Sequence, residues 1–505
     1  MGPGSSLDSN SGLDLGSSLG STFKSQVSLM SRVGRRSQVG VGMEVGNQGW
    51  VSSLGLGSMF RVGVELEVGN QGWVSSPRVG VELEVINQGW VSSPRSTLSL
   101  FLGQYKQVSN MRLERIQRHL DRINKPPLFT IQSPDGDIID CVHKRKQPAF
   151  DHPLLKNHKI QKEPPEIPKL KTSVKTDAMM SRDVVSNNSK SAVVDWQLWH
   201  QNGTRCPAGT VPIRRSEVHD VLRAKSLYDF GKKKRHGLPI ARRVDAPDVV
   251  SGNGHEHAIA YTGGSEEIYG AKATINVWEP SIEVVNEFSL SQIWVLSGSF
   301  DGSDLNSIEA GWQVSPELYG DSRPRLFTYW TSDSYQATGC YNLLCSGFVQ
   351  TNSRIAIGAA ISPVSSVEGS QYDVTILIWK DPKLGNWWMV FGDNTLVGYW
   401  PAELFTHLAE RATMVEWGGE IVNSRANGEH TSTQMGSGHF GDDGFRKASY
   451  FRNLEIVDSD NSLSSAQDIS ILAENTNCYN IKNAYSSEWG THFYYGGPGR
   501  NPQCN

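Results

Sequence analysis

The chain has 505 residues, 38% of them hydrophobic and 20% charged, with a formal net charge of −4, enough length for two or three domains and at least one large core. No stretch approaches the ~18 apolar residues that a membrane-spanning helix needs, which excludes a helical integral membrane protein. The charge is split along the chain, with 28 Lys and Arg against 16 Asp and Glu in residues 106–255 and 13 against 29 in residues 256–505. The basic residues are scattered among prolines and acids with few aromatics, so the split predicts two parts that attract each other rather than a nucleic-acid partner.

Residues 1–104 carry an internal repeat. Val39–Ser53 returns nearly verbatim at Val62–Ser76 and at Val79–Ser93. The spacing changes from 23 residues (Asn47 to Asn70) to 17 (Asn70 to Asn87), unlike the fixed period of a solenoid. Disorder or loosely held hairpins are expected here. The start, Met1-Gly2-Pro3-Gly4-Ser5-Ser6, has neither the basic nor the apolar region of a secretory signal.

A basic segment spans residues 105–250. Met111, Leu113, Ile116, Leu120 and Ile123 recur at helical spacing and stop at Pro126-Pro127, predicting a helix. Leu128–Gln132 and Ile138–Val142 flank Ser133-Pro134-Asp135-Gly136-Asp137, whose Pro, Asp and Gly predict a hairpin turn. Residues 144–177 read as a Pro- and Lys-rich linker, and Trp196–Arg215 as another strand pair. Asn187 and Asn202 head glycosylation sequons. Lys232-Lys233-Lys234-Arg235 and Arg242-Arg243 bracket a stretch that reads equally as a solvated basic loop or as an exposed boundary open to a protease.

From residue 251 to 505 short β-type runs follow one another: Ala271–Val277, Ser289–Ser297, Ala310–Val314, Leu326–Trp330, Arg354–Ile361, Val374–Trp379, Trp387–Phe391, Ala412–Val415 and Phe493–Tyr495. Helical periodicity is confined to Ala402–Glu410. The fold class expected is mainly β: an antiparallel β-sandwich domain, preceded by a small α+β segment and the repeat-bearing N-terminus. Six cysteines permit 15 pairings. Locality favours Cys340–Cys345 and Cys478–Cys504, leaving Cys141 for Cys206, and an even, pairable set points to an oxidising compartment.

Three chemistries can be weighed. No Gly-x-Ser-x-Gly elbow sits in a strand–turn–helix setting, so a serine nucleophile has little support. His255-Glu256-His257 puts two imidazoles on one strand face, yet no third ligand is evident, and no metal or other cofactor is expected. Glu309 and Glu420 remain. On a strand Glu309 shares its face with Gly311 and Gln313, while Ile308, Ala310 and Trp312 point the other way. Glu420 follows Gly418-Gly419. Two carboxyl groups bordered by missing side chains can divide acid and base roles if the fold brings them together.

The same stretches resemble the neprosin family of plant glutamic peptidases. The resemblance runs in order through Gly254-His255-Glu256-His257-Ala258, Asn276-Val277-Trp278, Ile308–Val314 with Tyr319-Gly320-Asp321, Thr338-Gly339-Cys340-Tyr341-Asn342, Trp417-Gly418-Gly419-Glu420, Met435–His439 and Phe493–Gly499. Ile131–Cys141 and Gln147–Pro153 resemble the family's activation region. The resemblance implies a zymogen of a secreted-type endopeptidase, extracellular or vacuolar, that cuts proline-containing substrates after proline at acidic pH. It implies Glu309 and Glu420 as the catalytic pair. The basic segment would serve as intramolecular inhibitor, and residues 251–505 as the catalytic domain. Gln313, Trp312, Tyr319 and Trp417 are candidates for the substrate pocket. The rival readings are a non-catalytic glycan-binding sandwich, whose tryptophans stack on sugars, and a glycosidase built on the same two carboxylates.

Overall fold

The computed structural model describes residues 50–52, 59–63, 82–86, 109–171, 196–233, 254–262, 267–299, 304–392, 394–425 and 428–505. The chain divides into two compact units, Met1–Ser109 and Asn110–Asn505. In the first, β1 (Trp50–Ser52), β2 (Met59–Gly63) and β3 (Glu82–Ile86) pair antiparallel in that order. The remainder of the repeat, including most of what the expectation of disorder concerned, lies outside the described residues.

The second unit begins with the basic segment. Helix α1 (Asn110–Ile123) buries Ile116 and Leu120 against Val221 and Phe230, the narrow apolar stripe its spacing predicts. β4 (Pro127–Gln132) and β5 (Ile138–His143) form the expected hairpin. Its turn uses Gly136 at φ 95°, a conformation that glycine adopts without steric cost. β7 (Thr210–Arg214) pairs with β5 as a third strand, and helix α2 (Val218–Arg223) follows. The strand pair expected over Trp196–Arg215 is therefore one strand preceded by a 3₁₀ turn at Leu198–Gly203, because β5 supplies the partner. Asn202 lies in that turn, and Asn187 falls outside the described residues.

The Pro- and Lys-rich stretch is no loose linker over residues 144–171. It runs along the C-terminal domain as a strap. Gln147 donates to the Gln350 carbonyl at 3.0 Å and accepts from the Gln350 N–H at 2.7 Å. Leu155 is fully buried, and Gln161 donates to Asp381 at 2.8 Å. The strap ends in the short strand β6 (Lys169–Leu170). Backbone pairing replaces the solvation that its composition suggests.

The C-terminal domain is a two-sheet sandwich. One sheet holds β8 (His255–Tyr261), β10 (Ser289–Ser297), β11 (Asn306–Val314), β12 (Arg325–Thr331), β17 (Met414–Val422) and β20 (Ser470–Ala473) in the order β12-β11-β10-β17-β8-β20, antiparallel throughout. The other is built on β9 (Gly270–Asn276), β13 (Val349–Gln350), β14 (Asp373–Lys380), β15 (Trp387–Phe391), β16 (Thr395–Trp400), β18 (Ser449–Val457) and β19 (Ser462–Ser465). β21 (Asn480–Ser486) and β22 (Gly490–Gly496) extend it through β18. β6 of the basic segment adds to the β19 edge in parallel.

Alternation decides what lies between the sheets. Ile308, Ala310, Trp312 and Val314 of β11 join Ile293, Trp417 and Leu326 in one core with Ala273, Ile376, Trp387 and Phe451 of the opposing sheet. Two further expectations differ from the structure. Arg354–Ile361 makes turns and isolated bridges, not a strand, and Ala402–Glu410 contributes only a 3₁₀ turn at Ala402–Leu404. All three expected disulfides form: Cys141–Cys206, Cys340–Cys345 and Cys478–Cys504.

Candidate active site

The outward face of the six-stranded sheet carries the acids. In register, Leu290 of β10 lies opposite both Gln313 and Glu420, Gln292 opposite Gly311 and Gly418, and Trp294 opposite Glu309 and Glu416. Because opposed residues in a ladder point to the same side, Glu309 and Glu420 share a face and reach toward each other across Gln292. Both carboxyl groups are buried. The glycines beside them answer to the backbone as well as to open space. A Cβ at Gly311 would meet the Ser291 carbonyl at 1.9 Å, and one at Gly418, where φ is +153°, would meet the Ala258 carbonyl at 2.3 Å.

A single ammonium joins the pair. Lys233, the last described residue of the basic segment, places Nζ 2.8 Å from Glu309 Oε2 and 3.5 Å from Glu420 Oε2. Its backbone N–H donates to the Tyr329 hydroxyl at 3.2 Å, and its ammonium lies 5.3 Å from the Tyr335 ring centroid. Lys232 beside it donates to the Ala337 and Gly339 carbonyls at 2.7 and 2.6 Å. Lys232 and Lys233 are thus neither a solvated loop nor an exposed cleavage boundary, while Lys234 to Arg243 lie outside the described residues. Burial pushes the Lys233 ammonium toward its neutral form, but Glu309 and Glu420 outweigh it and hold its pKa well above the ordinary lysine value.

The two glutamates keep different company. Glu309 accepts from the Tyr335 hydroxyl at 2.8 Å and the Ser307 hydroxyl at 3.0 Å, both through Oε1. Glu420 has imidazoles: His255 Nδ1 at 2.5 Å from Oε1 and His257 Nε2 at 4.0 Å. The Gln292 amide donates to Glu420 Oε2 at 3.4 Å. His257 is in turn held by Glu474, 3.2 Å from its Nδ1. Burial alone would raise the Glu420 pKa, but Lys233, His255 and His257 reverse it and hold the carboxyl far below the usual carboxylate range. His257 is also pushed down by burial, and Glu474 raises it above the ordinary value. His255 and His257 thus both border Glu420.

Of the pocket candidates, only Gln313 lies on this face, lining a cleft of about 600 Å³ beside Lys233 with His255, Phe288, Leu318, Tyr341 and Val422. Trp312 and Trp417 are corrections. Both are fully buried between the sheets, and Trp312 donates to the Asn276 carbonyl at 2.9 Å, because strand alternation turns them away from Glu309 and Glu420. Tyr319 is a third. It sits beneath Arg325 and Arg214, 5.1 and 5.8 Å from its ring centroid, and its hydroxyl accepts from Asn342 at 3.1 Å. Burial raises its pKa to about 12. Sequence reasoning missed Lys233, Gln292, Tyr335 and Tyr341. Lys233 had a signal, being a cation in a basic run ahead of an acidic domain. Tyr341 lay in a stretch that carries the neprosin resemblance, while Gln292 and Tyr335 had no signal.

Residues 285–498 match the family model described as Neprosin, and residues 130–261 the model described as Neprosin activation peptide. The chain belongs to the neprosin family. It is a peptidase precursor, and the neprosin activation peptide is the part of the chain that delivers Lys233 to the paired acids. Among solved structures, a scytalido-glutamic peptidase bound to a peptide-based transition-state analogue is similar at 12% identity and TM-score 0.27, over 48% of this chain and 97% of that one. SCP-B, an eqolisin-family peptidase in complex with the tripeptide Ala-Ile-His, is similar at 10% identity and TM-score 0.26, over 48% and 96%.

Proposed function

We propose that this neprosin relative is the zymogen of a glutamic endopeptidase that cleaves after proline at acidic pH, with Glu309 and Glu420 as the catalytic pair. The observation that carries the reading is the Lys233 ammonium, which lies within 3.5 Å of both carboxylates where a substrate would have to enter. Residues 110–233 are the inhibitory segment, and cleavage between Lys233 and Gly254 frees the domain that follows. Three disulfides suit a secreted or vacuolar location.

The unequal surroundings divide the roles. Glu420, flanked by imidazoles that stay when Lys233 leaves, remains ionised in acid and takes the proton of the attacking water. Glu309, which accepts from the Tyr335 and Ser307 hydroxyls of its own domain, serves as the acid and passes a proton to the leaving nitrogen. Acidification protonates carboxylates of the acidic domain and weakens its attraction for the basic segment, which links low pH to release. Phe288, Leu318, Tyr341 and Val422 give the neighbouring cleft apolar walls suited to a proline ring.

The test incubates the purified full chain at acidic and neutral pH with a proline-containing peptide and, separately, with cell-wall glycans. Acid-dependent cutting after proline that falls at least ~10²-fold in Glu309→Gln and further in Glu420→Gln supports the reading. Glycan binding without peptide cleavage overturns it.

A further inference from the structure

A peptide carbonyl attacked by water becomes a tetrahedral oxyanion, and a site built for that step aims a hydrogen-bond donor at the new charge. Backbone donors are scarce beside Glu309 and Glu420. Their strands β11 and β17 are interior to the sheet, paired on both sides, so their N–H groups are engaged in the ladders. The donor has to come from a side chain. The Tyr335 hydroxyl already serves Glu309, and the Gln292 amide donates to Glu420.

Tyr341 has no such commitment. It sits in the loop closed by Cys340–Cys345, its ring packed edge-on to Tyr329 at 4.8 Å and tilted against Phe327 at 6.0 Å. It lines the cleft shared by Lys233, His255 and Gln313. Its hydroxyl is buried and has no hydrogen-bond partner among the described residues, the kind of exception that demands a reason in a close-packed protein. Burial pushes this phenol far above the usual tyrosine range. Lys233 opposes that shift, and the charges of Glu420 and Glu309 add to it. The phenol therefore keeps its proton and acts as a neutral donor at any pH the enzyme meets.

We propose that Tyr341 is the oxyanion donor of the peptidase: its O–H hydrogen-bonds the carbonyl oxygen as the tetrahedral intermediate forms. This rests on the peptidase reading above. Water oxygen bonds to the carbonyl carbon, Glu420 takes the water proton, and the carbonyl π pair moves onto oxygen, where Tyr341 stabilises it without giving up its proton. On collapse the C=O bond reforms, the C–N bond breaks, and the nitrogen takes the proton of Glu309. A proton returning from Glu420 to Glu309 through solvent resets the pair.

The experiment compares full-chain wild type with Tyr341→Phe, both acid-activated in parallel, on a proline-containing peptide. The variant keeps the ring and its packing. The expected result is a fall in kcat of about 10²-fold with KM changed less than about twofold, since the bond exists only in the intermediate. The zymogen's melting temperature should stay level or rise, because a buried hydroxyl without a partner is removed. A kcat within about threefold of wild type overturns the proposal while leaving the peptidase reading intact. A lowered melting temperature with kcat and KM falling together assigns Tyr341 a structural role and also overturns it. Wild type that cleaves nothing sinks both.

Discussion

Glu309 and Glu420 lie on one sheet face, bridged by one ammonium, yet their fixed neighbours differ in kind. Glu309 is surrounded by hydroxyls, from Tyr335 and Ser307. Glu420 is surrounded by ionisable nitrogen, from His255 and His257, the second braced by Glu474. A hydroxyl can donate to a carboxylate or accept from a carboxylic acid, whereas cations stabilise only the anion. Two identical side chains are thereby set up for opposite jobs, and removing the activation peptide leaves that difference standing.

The largest test of this contrast is to neutralise each acid in turn. Glu420→Gln should lower kcat/KM at least ~10³-fold, since an amide cannot accept the water's proton. Glu309→Gln should lose only about 10²-fold, because its amide still donates a hydrogen bond. Equal losses would break the division of roles. Next in size is Lys233→Met, which leaves both carboxylates without their shared cation. Glu420's depressed pKa means that its part in docking is present at neutral pH, above the ordinary glutamate value, and is lost only as pH falls through its lowered value. Without Lys233 neither carboxylate holds the segment, so processing should extend to higher pH than in wild type, read by gel mobility over a pH series. Processing at the wild-type pH would argue against the bridge. A smaller shift is expected from His255→Gln. The acidic limb of kcat/KM should move up by roughly half to one pH unit, with His255→Lys restoring it because a cation is restored. An unmoved limb would detach the imidazole from Glu420's role. Least functional of all should be Trp312→Phe, on the opposite side of the same strand. It should cost on the order of 2 kcal/mol of stability through lost packing and the Asn276 hydrogen bond, measured by thermal unfolding, with KM unchanged.

Tryptophan 312 also marks how far the chain could be read without its fold. Period-two alternation correctly puts it opposite Glu309, and the core position follows from that alternation alone. Its candidacy for the substrate pocket fails on that same strand geometry. The hairpin around Asp135-Gly136-Asp137, helix α1 and the Cys340–Cys345 pair were legible because each depends on residues close in sequence or on a turn with fixed chemistry, and Cys141–Cys206, 65 positions apart, followed as the remaining pair. The strap over residues 144–171 was not, since its prolines and lysines read as solvated until strands β13 and β19 offer it a partner.

Local pattern by itself determined that Glu309 lies on a strand with an open face beside it, that a cationic segment precedes an acidic domain, and that the resemblance to neprosins runs through both. The tertiary structure decided the rest. β10 slots between β11 and β17 and sets the register that lets Glu309 and Glu420 meet over Gln292. Lys233, 187 positions from Glu420 in sequence, arrives to bridge them. Strand order and register come from packing a whole sandwich, a sum over non-local contacts, and no window of residues along the chain contains that sum.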